Sequence, residues 1–154
     1  MKKILFVISM SIISLAMYAQ TENDYLEMSR EVLKVEKKAA IADIMQLTES
    51  ESVPFWNLYN EYQGKLYVVQ NKRIAIIKDY IANFENITDE KADELLLGMI
   101  SYQQELLKLK KAYYAKFKKI LPAGKAVKFF QTENKIETFI DAEIAEEIPL
   151  VEPN

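Results

Sequence analysis

Thr48 to Phe84 reads TESESVPFWNLYNEYQGKLYVVQNKRIAIIKDYIANF, and its periodicity decides the fold. Projected at about 100° per residue, Phe55, Leu58, Tyr59, Tyr62, Leu66, Val69, Ile76, Ile77, Tyr80 and Phe84 share one arc. That spacing predicts a single long helix. Thr48-x-x-Glu51 is a capping box placed directly before the apolar run. Pro54 is the sixth residue after that cap, past the first turn in which proline is tolerated. Either Ser52 is the true N-cap or the helix bends at Pro54.

Outward from this stretch the chain stays helical. Asn83, Asn86 and Thr88 mark a turn, and Thr88 caps a third helix that runs to about Ile120. Asp89 and Glu90 suit the positive end of its dipole, and Lys116, Lys118 and Lys119 the negative end. Leu121-Pro122-Ala123-Gly124 breaks it, with Pro122 opening a fourth helix by its fixed φ. That helix runs from about Gly124 to Glu147. Upstream, Asn23 to Gln46 forms the first helix, after a capping-box-like Thr21-x-x-Asp24. No stretch alternates at period two long enough to be a strand. The expected fold is all-α: four helices, elongated, with helices two and three as a long antiparallel hairpin and the others packed along it.

Met1-Lys2-Lys3, the apolar run ILFVISMSIISLA and the small residues up to Ala19 read as a secretory signal peptide. The run is short of the roughly 20 residues of a membrane span. Cleavage is expected after Ala19, with Ala16 as the alternative site. The organisation expected is then a signal peptide over 1–19, one domain over 20–148 and an acidic tail over 149–154, in a bacterial periplasm. Loss of Lys2 and Lys3 leaves 18 basic against 23 acidic residues, so the net charge moves from −3 to −5. The chain has no Cys and no His. Thiolate nucleophiles, zinc fingers, disulfides and histidine general bases are therefore excluded. No Ser-x-x-Lys replaces them. No cofactor, nucleic-acid partner or enzymatic activity is expected.

Two surfaces stand out. On helix two a second stripe of Trp56, Tyr67, Ile74 and Ile81 lies beside the first, so the apolar face is wider than one neighbour needs. Either helices one and four cover it, or part of it meets a dimer partner or a bound client. On helix three, Lys108, Lys111, Lys116, Lys118 and Lys119 lie opposite Leu106, Leu107, Tyr113, Tyr114 and Phe117. That basic face is either simply solvated or steers acidic or unfolded partners. Glu133 and Glu137 project into the apolar face of helix four, and Arg73 into that of helix two. An internal ion pair between Arg73 and one of the two glutamates is expected. A hard cation or acid–base chemistry at the two carboxylates is the alternative.

In layout over residues 24–147, and in its helix starts, the chain resembles the Spy/CpxP family of periplasmic helical proteins. The family's repeated Leu-Thr-x-x-Gln is met by Leu47-Thr48-Glu49-Ser50-Glu51, with Glu51 for Gln. The second copy is met by Leu121-Pro122-Ala123-Gly124-Lys125, with Pro122 for Thr and Lys125 for Gln. The resemblance implies a homodimer of hairpins that binds unfolded proteins without ATP, or a subunit that damps a membrane-bound stress sensor. It departs from the metal-responsive members in having no His, and from the chaperone in being net acidic. Client contact is expected at Trp56, Tyr67, Ile74 and Ile81, with charge from Lys108, Lys111 and Lys119.

Overall fold

The computed structural model describes residues 30–151. The segment expected to be a signal peptide, the Thr21-x-x-Asp24 cap and the last residues of the tail lie outside them. Contacts divide the chain into two units, Met1–Ile44 and Met45–Asn154. Residues 30–45 are helical (α1), with Ile41 buried and Val32, Leu33 and Val35 exposed. Gln46 follows at φ 46°, the left-handed position at which helices commonly stop.

The second unit is built from α2 (Glu49–Asn83), a 3₁₀ turn (Phe84–Asn86), α3 (Asp89–Ile120) and α4 (Ala123–Glu147). No strand occurs among the described residues, and the chain is all-α as the periodicity indicates. Thr48, not Ser52, is the N-cap of α2, and Pro54 sits within the helix. Glu51 closes the cap: its carboxylate accepts the Thr48 backbone N–H at 2.9 Å. Thr88 caps α3 by accepting the Lys91 N–H at 3.2 Å. Thr88→Ala is expected to cost about 1 kcal/mol of stability, measurable as a lowered denaturant midpoint with an unchanged slope. Pro122 serves as the N-cap of α4, so this helix begins at Ala123, one residue before the expected Gly124.

α2 and α3 form an antiparallel hairpin whose arms are each roughly 50 Å long at 1.5 Å per residue. Cross-arm pairs run along it in reverse order: Glu61 with Tyr113 and Lys116, Lys72 with Glu105, Asp79 with Lys91. Near the turn the arms come close enough that a Cβ added to Gly98 would touch Ile76 at 3.5 Å. α4 then runs parallel to α2, with Lys125 beside Glu51, Arg73 beside Asp141, and the Tyr80 hydroxyl donating to the Pro149 carbonyl at 2.7 Å. The core lies among these three helices. Phe55, Tyr59, Tyr62 and Leu66 enter from α2, Tyr102, Leu106, Tyr113 and Phe117 from α3, and Ala126 and Phe129 from α4. Its densest part is aromatic, at the end where α3 passes into α4. There Phe117 and Phe129 lie 4.5 Å apart between ring centroids, and Phe55 is within 5.5 Å of both.

Candidate binding surfaces

The interior charged groups are tied up between helices. Arg73 pairs with Asp141 at 2.5 Å, not with Glu133 or Glu137 as expected. The cation that meets Glu137 is Lys110, which also donates to Asn134 at 3.0 Å. Glu133 is 3% exposed and accepts from the Gln63 amide at 3.4 Å. The reason is register. α4 lies parallel to α2 with an offset that sets Arg73 one helical turn beyond Glu137, while α3 brings Lys110 to that level. The two carboxylates of α4 thus serve helix packing. Among the described residues no cluster of three or more acidic side chains is placed to hold a metal ion.

Electrostatic perturbation follows the same contacts. Lys125, together with the Thr48 backbone, holds the Glu51 carboxyl below its ordinary range. Lys116 and then the Tyr113 hydroxyl do so for Glu61. Lys91 is raised by Glu94 and Asp79, and Lys116 by Glu61. None of these shifts prepares a general base or a nucleophile at neutral pH. Each carboxylate is made more firmly ionised and each ammonium more firmly protonated.

The apolar surface expected on α2 is partly open. Trp56 and Ile74 are half-buried, while Tyr67 is 41% and Ile81 61% exposed. Gln63 shares their stripe and reaches Glu133, so the stripe runs along the flank of α2 that α4 approaches. Glu61, Lys72 and Asp79 occupy the opposite flank, and all three pair with α3. Lys108, Lys111 and Lys119 are exposed on α3, away from its buried positions. The apolar and basic halves of the expected surface therefore lie on different sides of the hairpin. Lys116, expected on the solvated basic face, instead joins the cross-arm contacts through Glu61.

One apolar surface goes beyond the expected set. Leu96, Leu97, Ile100 and Leu107 are 60%, 57%, 41% and 60% exposed on the outer side of α3. Leu106 is buried while Leu107 is not, although the two were expected on one apolar face. A signal for this was present in the sequence. Leu95, Leu96 and Leu97 in succession cannot all enter one core stripe, because consecutive residues are about 100° apart on a helix. None of the described helices is long and apolar enough to cross a membrane. No protein-family model, curated protein or solved structure matches the chain.

Proposed function

We propose that this protein is an exported, ATP-independent holdase of the Spy/CpxP type, which shields partly unfolded chains on its apolar helix flank. The observation that carries this reading is the open stripe on α2. Tyr67 and Ile81 stay 41% and 61% exposed on a helix whose core face is already supplied by Phe55, Tyr59, Tyr62 and Leu66. Such side chains suit loose, sequence-tolerant contact, since Trp and Tyr pair a large apolar face with a polar edge. Lys108, Lys111 and Lys119 act in this reading through their field rather than by contact. They stand on another side of the hairpin, so they raise the encounter rate of acidic segments without forming the seat.

Light scattering of a denatured client, with and without equimolar protein from Gln20 onward, tests the proposal. Suppressed aggregation is expected, together with loss of at least half the effect in Tyr67→Asp plus Ile81→Asp. Scattering that is the same with and without the protein would sink it. Capture of a single membrane-embedded partner by crosslinking, in place of many clients, would favour a signalling subunit.

A further inference from the structure

Four lysines and a line of aliphatic side chains share the side of α3 that its own core does not use. Projected along the helix, Leu97, Ile100, Lys108, Lys111, Lys118 and Lys119 fall within about 50° of the line opposite its buried residues. All six are exposed, and Leu107, 60% exposed, widens the apolar part. None of the four lysines joins an ion pair among the described residues. Lys118 places its ammonium 5.2 Å from the Tyr114 ring centroid.

The fold also parts these lysines from the acidic end of the chain. α4 carries its last carboxylates back toward the hairpin turn, where the Tyr80 hydroxyl meets the Pro149 carbonyl. Arg73 pairs with Asp141 and its neighbour Lys72 with Glu105, so Asp141 stands at about the level of Glu105. Glu143 and Glu146 follow on the turn side of that level. Lys118 is thirteen residues beyond Glu105 in the other direction, roughly 20 Å along the axis. That is about twice the distance over which exposed charges act in about 0.1 M salt. The acidic tail offsets the lysines in a sum over the sequence but does not neutralise Lys118 and Lys119 in the fold. Asp89, Glu90 and Asp93, at the start of α3, stand farther from them still.

We propose that this side of α3 lies on an anionic lipid surface, with Ile100 and Leu107 entering the headgroup region and the lysines meeting lipid phosphates. A protein partner fits the same side less well, because lysine is depleted from the cores of protein interfaces. At a lipid surface the mixture is favourable. Lysine stems lie along the apolar contact while their ammoniums reach the phosphates, as in helices that rest in the plane of a membrane. The side is the convex ridge of one helix, which a fluid surface receives without a matching groove. No described helix is long and apolar enough to cross a membrane, so the contact is one of surface and not of span. Charge sets the tilt: the basic end of α3 is drawn down, and Asp89, Glu90 and Asp93 are held away. The apolar flank of α2 faces another side and stays open, so this contact and the holdase activity do not compete and neither rests on the other.

Flotation of the chain from Gln20 onward with vesicles of equal parts phosphatidylcholine and phosphatidylglycerol reads the contact, against vesicles of phosphatidylcholine alone. Binding to the anionic vesicles is expected to be tighter by about tenfold or more. It should be lost in salt on the order of 1 M, where the screening length falls to about 3 Å. Lys111→Glu with Lys118→Glu should weaken it by about 25-fold or more, at roughly fivefold per lysine. Ile100→Ser with Leu107→Ser should weaken it by about tenfold, with helicity unchanged by circular dichroism. Because the chain has no Cys, a single label can be placed at a chosen position. An environment-sensitive fluorophore on Leu107→Cys should brighten and shift to the blue on anionic vesicles, whereas the same label on Tyr67→Cys should not. That pair of labels tells a seated α3 from attraction by net charge. Equal binding to both kinds of vesicle, a label on Leu107→Cys that does not respond, or capture of polyglutamate with none on vesicles overturns the proposal, the last by assigning this side to an acidic protein. None of these readouts uses a client, so their failure leaves the holdase reading standing, and the reverse holds too.

Discussion

Phe129→Ala is expected to destabilise the second unit by about 3–5 kcal/mol, the range for deleting a large side chain from a packed core. Phe129 is wholly buried on α4. Its ring lies 4.5 Å from Phe117 and 5.4 Å from Phe55 between centroids, and Tyr59, Tyr62 and Phe130 stand within 6.1 Å. It thus touches aromatic groups of both hairpin arms, as its half-buried neighbour Phe130 also does through Tyr62, Tyr114 and Phe117. Removing it takes away the transfer energy of the ring and leaves a cavity among groups that cannot all move in. Partners drawn from three helices have little freedom to collapse, which places the cost toward the upper part of that range. Thermal unfolding followed by circular dichroism should show Tm lowered by on the order of 15 °C. A shift of only a few degrees would mean that α4 is not a structural member of the core.

The second large effect is alkaline instability. Tyr59 and Tyr62 are buried, and no hydrogen-bond partner meets either hydroxyl among the described residues. Burial first, and then the charge of Glu133, push both phenols above the ordinary value of 10.0. The folded chain therefore holds these protons when the unfolded chain has released them. Above about pH 10 the unfolded state binds fewer protons, and stability falls as pH rises. Each of the two residues contributes a slope of about 1.4 kcal/mol per pH unit once the unfolded phenol is fully ionised. Below pH 10 both states are protonated and the contribution is flat. Tyr102 is raised by burial as well and adds in the same direction. Lys91 and Lys116, raised by their carboxylate partners, lose their contribution over the same alkaline range.

Denaturant titrations at a series of alkaline pH values check this, with tyrosinate absorbance marking the transition. Tyr59→Phe with Tyr62→Phe should flatten the slope. It should also gain roughly 1 kcal/mol or more at neutral pH, because an unpartnered buried hydroxyl costs about that much. A double variant with an undiminished slope would contradict the assignment.

Helix limits were the most legible part of this chain, because they are written locally. Thr48 with Glu51 and Thr88 with the Lys91 N–H act across three residues, and proline at position 122 acts on its own backbone. Their chemistry works before any tertiary contact forms. The length of α2 was legible for the same reason: its apolar positions keep a helical period from Phe55 to Phe84. Pro54 is the exception. The reciprocal cap at Thr48 and Glu51 starts the helix upstream of it, although proline alone argues for a later start.

The candidate surfaces were legible only in part. A helical projection places Tyr67 and Ile81 on one stripe but cannot say which flank a neighbouring helix takes. It grouped Leu106 with Leu107, and only packing against α2 and α4 divides them into one buried and one exposed residue.

The sequence by itself determined that this protein is all-α, the limits of the helices of the second unit to within a residue or so except for the start of α2, which it left between Thr48 and Ser52, and that its hairpin carries more apolar surface than one seam can use. These properties follow from backbone propensity, caps and period, all of which act within a few residues. The tertiary structure alone decided which carboxylate each interior cation meets. Arg73 could reach Asp141, Glu137 or Glu133 only according to how far α4 slides along α2, and that offset is set by aromatic packing around Phe129 more than sixty residues down the chain from Phe55 and Tyr59. It decided too that the open apolar flank of α2 and the lysines of α3 face different sides, because three helices around one core turn their remaining surfaces apart.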